Sequence, residues 1–174
     1  MRVRSVKYER LFSFEKYNNE RIGMEIELSE HDDAAAVLGE LYFKILNIEK
    51  SLELFRFFQE KFETIVGRIE SRNRRRKELL EDIRITEKEL EKIKQIQDET
   101  ERARRLCNLR DIKDLRRRLV EVEEEIEELE ELRDKTRKAL NDLEKMIKAG
   151  QFEEALEKYR ELSEKLAKIY NDYY

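Results

Sequence analysis

From Ile112 to Ile147 the chain places Ile112, Leu115, Leu119, Val122, Ile126, Leu129, Arg133, Thr136, Leu140, Leu143 and Ile147 at alternating steps of three and four, and all but Arg133 and Thr136 are aliphatic. The residues between them are almost all charged. A seam of that period belongs to a helix that buries one narrow stripe against another helix and leaves the rest in water. At the normal rise per residue this helix would be about 54 Å long. Charged residues make up 46% of the chain and proline is absent, against about a quarter charged in ordinary globular domains. The chain therefore reads as mostly helix.

All Tyr and Phe residues lie at or before Phe62 or at or after Phe152, and Gly67 and Gly150 fall close to the same points. Aromatic side chains supply the large apolar areas of compact cores. The expectation is a head built from both chain ends, residues 1–66 and 151–174, and a coiled-coil stalk over residues 67–150. In the head, Val6, Tyr8, Phe12 and Phe14, then Ile22, Met24, Ile26 and Leu28, alternate with polar residues on either side of a Glu15–Glu20 loop, which reads as a β-hairpin with Arg10 interrupting its apolar face. Asp32 or Asp33 suits the N-cap of a helix carrying Leu38, Leu41, Ile45, Ile48, Leu52, Phe55, Phe62 and Val66, its face widened by Tyr42, Phe43, Phe57 and Phe58. Ser51 marks the one place where that helix would divide in two. After Gly150, the residues Phe152, Leu156, Tyr159, Leu166 and Tyr173 line one broad face of a returning helix.

In the stalk, the first arm is expected to end near Arg105, to turn at Asn108, and to restart at a cap made by Asp111 with Asp114. The midpoint of Gly67 and Gly150 lies beside Asn108, which favours an antiparallel helical hairpin. The alternative is one continuous helix that dimerises, because neither glycine nor proline stands at the tip. The fold class expected is mainly α with an N-terminal β-hairpin, a head plus a long antiparallel helical hairpin.

The net charge of −4 creates no global field toward nucleic acid. Cys107 is the single cysteine and position 110 is Arg110, so neither an intrachain disulfide nor a Cys-x-x-Cys hook for zinc is available. His31 is the only histidine, beside Asp32 and Asp33 with no nucleophile nearby, and reads as a loop residue rather than a ligand or base. No glycine-rich phosphate loop exists. Catalysis is disfavoured, and no metal or cofactor is expected. No apolar run approaches the ~18 residues of a membrane helix, and the alternating N-terminus does not read as a signal peptide; a cytoplasmic protein without a membrane role is expected. Abundant Glu, Lys, Arg and Ile with few Gln point to a thermophilic source.

Two basic clusters remain. One is Arg68, Arg72, Arg74, Arg75, Arg76 and Lys77; the other runs from Arg102 to Arg118, with eight basic and two acidic residues. Eight glutamates follow between Glu121 and Glu131. Charge runs on coiled coils are more often solvated faces or pairing codes than ligand sites. The first cluster stands out, because a hairpin symmetric about Asn108 would set it opposite Leu140 to Lys145, where acids are few.

The segment from Lys7 to Leu28 with the helix after it, about residues 6–45, resembles a small β-β-α module of uncharacterised proteins from phages and archaeal mobile elements. The resemblance rests on Tyr8, Phe12, Phe14 and Tyr17, then Glu20, Ile22, Glu25 and Glu27. It implies an accessory factor of replication or recombination and names no catalytic residue. The function expected is a non-enzymatic oligomeric accessory protein touching DNA or RNA backbone through Arg72, Arg75 and Arg76, with Arg116, Arg117 and Arg118 as a second strip. Tyr8, Phe12 and Tyr17 are the candidates for base stacking. The alternative is a structural scaffold or protein-interaction module with no nucleic-acid role. A homodimer through the head is expected in either case, because a two-stranded hairpin has open edges and Val6, Tyr8, Ile22 and Met24 need more cover than one helix provides.

Overall fold

A computed structural model of the chain describes residues 3–15 and 18–171; the side chains of residues 12–20 and 169–171 lie outside that description. In order, the elements are β1 (Ser5–Glu15), β2 (Asn18–Glu27), α1 (Ala34–Lys94), α2 (Glu99–Cys107), α3 (Ile112–Lys148), α4 (Phe152–Lys158) and α5 (Arg160–Asn171). The fold is mainly α with an N-terminal antiparallel β-hairpin and a helical hairpin. The chain divides into two compact units, one made of Met1–Glu60 with Lys138–Tyr174 and the other of Lys61–Arg137. Sequence placed the divisions at 66/67 and 150/151; here they fall inside α1 and α3.

In the first unit, Val6 pairs with Ile26, Tyr8 with Met24 and Arg10 with Ile22. These residues are half-buried while Lys7, Glu9, Glu25 and Glu27 between them are exposed, the alternation expected of a strand with one covered face. The six-residue polar loop is not found. β1 runs through Glu15 and β2 begins at Asn18, with an irregularity between Ser13 and Glu15. Ladder hydrogen bonds join backbone groups, so polar side chains do not stop the strands.

Asp33 starts α1, its side chain accepting from the Ala35 N–H at 3.0 Å and its carbonyl from the Val37 N–H at 3.0 Å. Asp32 instead closes the turn before it, accepting from the Ser29 N–H at 2.7 Å. The helix does not divide at Ser51. That residue is fully buried and its hydroxyl donates to the Phe152 carbonyl at 3.2 Å, while Asn47 one turn earlier donates to Glu153 at 2.7 Å. The core comprises Leu41, Ile45, Phe58, Ala139, Leu143, Ala155 and Leu166. Of the aromatic face expected on α1, only Phe58 is fully buried; Tyr42, Phe43 and Leu38 remain exposed.

Gly150 ends α3 with φ 75°, donating to the Ile147 carbonyl at 3.1 Å while Gln151 donates to that of Met146 at 2.9 Å. This pair of bonds closes a helix through a left-handed residue, which glycine adopts at least cost. The C-terminal segment, expected as one helix, is interrupted at Tyr159 (φ −105°, ψ 8°). There the ring packs edge-on against Phe58, centroids 6.0 Å apart, and its hydroxyl donates to Asp142 at 2.6 Å. Lys158 donates to the same carboxylate oxygen. These bonds, the Lys158 one first, hold the Asp142 carboxyl below its ordinary range; burial, then the bond to Asp142, pushes the Tyr159 phenol up.

In the second unit, Leu79, Ile83, Leu115 and Val122 form a buried cluster with Leu119 and Ile126 packed against it. Ile65, Ile69 and Ile93 on α1 and Leu132 on α3 are also buried. The seam on α3 passes through Leu132 rather than Arg133. A guanidinium is costly to desolvate, and Arg133 turns to Asp134 at 2.9 Å and Glu130 at 3.7 Å.

α1 stops at Lys94, eleven residues earlier than the expected end near Arg105. Asp98 takes the next backbone donors, accepting from Thr100 at 2.8 Å and Glu101 at 3.3 Å, and begins α2. Asn108 ends α2 as its C-cap, and Asp111 accepts from the Lys113 N–H at 2.9 Å to open α3. The turn is thus a separate short helix between two breaks. The register moves accordingly: Arg76 meets Glu123 at 2.8 Å, and not the region near Asn141.

Spin labels replacing Arg76 and Glu123 are expected within 20 Å or so of each other, one side chain's reach on each helix. A hairpin symmetric about Asn108 would offset them along the axis by a further ~27 Å. Double electron–electron resonance distinguishes the two. A second expectation concerns Asp142. Its carboxyl is depressed in the fold, so its stabilising contribution is present above the ordinary Asp pKa of about 3.9 and is lost as pH falls through the depressed value. The gap in melting temperature between the wild type and Asp142→Asn should be open at neutral pH and close on acidification.

Candidate nucleic-acid interface

Arg72 and Arg76 are one turn apart on α1 and therefore share a face. That face is turned to the acid run of α3, with Arg72 2.6 Å from Glu125 and Arg76 2.8 Å from Glu123. Arg75, expected beside them, pairs with Glu78 of its own helix at 3.0 Å. Arg74 and Lys77 are exposed. The separation expected between this cluster and any acids is thus overturned by the register, which sets the arginines against Glu121–Glu131 rather than Leu140–Lys145.

The second strip is engaged as well. Arg116 reaches Glu87 across the hairpin at 2.8 Å. Arg117 and Arg118 both turn to Asp114, at 2.6 and 2.8 Å, and Arg117 also approaches Glu121 at 3.7 Å. Near the turn, Arg105 pairs with Glu101, Arg102 with Glu99 and Arg110 with Asp82. All of these are solvated pairs; the six nominated arginine side chains are 43–70% exposed. Each such pair contributes about 0–1 kcal/mol.

Of the stacking candidates, Tyr8 is half-buried and packs edge-on against Tyr42 at 5.6 Å. The Phe12 side chain and Tyr17 lie outside the described residues. His31 is exposed in the turn before α1, Glu25 accepts from the Ser5 hydroxyl at 3.0 Å, and Cys107 is exposed at the end of α2. Among the described residues no group of His, Cys, Asp or Glu is placed to hold a metal ion, and no helix is long and apolar enough to cross a membrane.

An open groove of about 470 Å³ lies between α1, α4 and α5, bounded by Lys50, Leu54, Phe57, Leu156, Ser163 and Glu164 among others. The Ser163 hydroxyl is occupied, donating to the Arg160 carbonyl at 2.7 Å. What sequence reasoning missed is a set of exposed aliphatics in the second unit: Leu80, Ile85, Leu106 and Val120. The doublets Leu79–Leu80 and Leu119–Val120 carried the signal, since successive helical residues point about 100° apart and only one of each pair can enter a narrow seam.

None of the family models, curated proteins or solved structures compared with the chain matches it.

Double-mutant cycles on Arg76 with Glu123 and on Arg72 with Glu125 are expected to give coupling energies of about 0.2–1 kcal/mol in chemical denaturation at low salt. The coupling should shrink toward zero at 1 M salt, where the screening length is about 3 Å.

Proposed function

We propose that the chain is a protein-interaction scaffold, a binding protein rather than a catalyst. The observation that carries this reading is the pairing of Arg72 and Arg76 with Glu125 and Glu123. Paired this way, the arginines serve as the register code of a helical hairpin, a common use of charge on such helices. The exposed Leu80, Ile85, Leu106 and Val120 are the side chains through which this unit would meet a partner protein, since covering them removes apolar surface from water.

Contact with DNA or RNA is the second reading. It is supported by the half-exposed guanidinium groups of Arg72, Arg75, Arg76, Arg116, Arg117 and Arg118, which can exchange a carboxylate for a phosphate, and by the resemblance of residues 6–45 to accessory modules. Fluorescence anisotropy with labelled single-stranded DNA, duplex DNA and RNA at about 50 mM salt separates the two. The scaffold reading expects no binding at tens of micromolar, where a salt-driven phosphate contact would be strong. Tight binding whose salt slope falls by about 2–3 units in the Arg72→Gln, Arg75→Gln, Arg76→Gln variant would overturn it. In the positive arm, Leu80→Ser with Ile85→Ser and Val120→Ser should leave the melting temperature nearly unchanged, as exposed substitutions do. The same variant should lose the proteins that the wild type retains from nuclease-treated extract of its native source.

A further inference from the structure

The covered face of the β-hairpin is only partly covered. Val6, Tyr8, Ile22, Met24, Ile26 and Leu28 are all half-buried. Beside them on α1, Leu38 is 41%, Tyr42 40% and Phe43 62% exposed. The rings of Tyr8, Tyr42 and Phe43 touch in series, edge to face, at 5.6 and 5.5 Å. Apolar surface therefore runs without interruption from β1 onto the open side of α1.

β1 has one partner strand, β2, among the described residues, so its other edge is unpaired. The ladder decides which backbone groups that edge offers. Leu28 donates to the Arg4 carbonyl at 2.9 Å and the pairing keeps that register through Ser13. Even-numbered residues of β1 therefore direct their N–H and C=O groups to β2, and Ser5, Lys7, Glu9 and Leu11 direct theirs outward. The side chains of Lys7 and Glu9 share the exposed face, 2.6 Å apart.

We propose that this edge binds the same edge of a second copy of the chain, antiparallel about a two-fold axis at Tyr8, to make a four-stranded sheet. In this register Lys7 of each copy lies opposite Glu9 of the other in a hydrogen-bonded pair. The two Tyr8 residues meet as a non-hydrogen-bonded pair, whose side chains approach closely. Moving the axis to Lys7 or to Glu9 would set like charges opposite each other. A slip by one residue would turn the apolar face of one copy to the solvated side of the other. On β2 the corresponding outward positions include Gly23 between Arg21 and Glu25, a weak strand residue, and the aromatic surface continues from β1. A symmetric pairing of this kind is self-complementary by construction. It goes beyond the scaffold reading and stands or falls separately from it.

Sedimentation of the full chain at tens of micromolar should give twice the 21.3 kDa chain mass. Lys7→Glu and Glu9→Lys each place like charges opposite one another twice per interface, and each alone should weaken association about ten-fold or more. Mixed in equal amounts, they should associate again, because one chain then offers two acids and the other two bases. Changes confined to one chain cannot produce that recovery. In a Cys107→Ser background, Tyr8→Cys should form an interchain disulfide on oxidation, since opposed non-hydrogen-bonded positions suit its geometry. A monomeric wild type, a mixture no more associated than its components, or a dimer sensitive to Arg21→Glu but not to Lys7→Glu would overturn the proposal.

Discussion

The helical hairpin depends on the burial of one aliphatic stripe, where Leu79 and Ile83 meet Leu115 and Val122. Apolar packing is non-directional, and a stripe that repeats every three and four residues is nearly satisfied in several registers. Charge removes that degeneracy. Arg72 with Glu125, Arg76 with Glu123 and Glu87 with Arg116 can be met together in one antiparallel alignment. Such exposed pairs add little to stability one by one, yet sliding one helix along the other would set bases against bases. The seam stabilises the hairpin and the charges choose its alignment.

Polar groups inside the packed layers follow one rule, that each must be bonded where it is buried. Thr86 donates to the Asp82 carbonyl at 2.7 Å and Thr136 to the Leu132 carbonyl at 2.8 Å, both one turn back in their own helix. They fill seam positions without needing a partner from the other helix. Ser51 solves the problem differently. Its bond to the Phe152 carbonyl, with Asn47 bound to Glu153, fastens the start of α4 to α1. In this way the two ends of the chain enter one compact unit.

The same economy bears on function. Arginine is suited to phosphate because its planar fork stays charged, and those properties serve equally well for carboxylates on a neighbouring helix. Composition alone does not separate the two uses. The structure sets Glu125 and Glu123 against Arg72 and Arg76 as partners within the chain.

Much was legible from local pattern. Alternation placed the hairpin strands, the 3,4 period placed α3, Gly150 placed its end, and Asp33 and Asp111 placed two caps, because each signal acts within a few residues of itself. The end of α1 at Lys94 was not legible, since neither Pro nor Gly marks it and the break shows only in Asp98, whose side chain draws the Thr100 and Glu101 donors to open α2. That shift of the turn moved the register and decided what faces the arginines, which made the candidate interface the least readable part of the chain. Ser51, where the sequence left a break open, is a buried tie. Tyr42 and Phe43 looked like core and lie exposed. Sequence by itself determined the strands, the two long helices and their amphipathic faces, through backbone geometry and hydrophobic period, but not the breaks after Lys94 and at Tyr159. Tertiary structure alone decided which charge meets which and which apolar residue is covered, because those outcomes depend on partners far away along the chain.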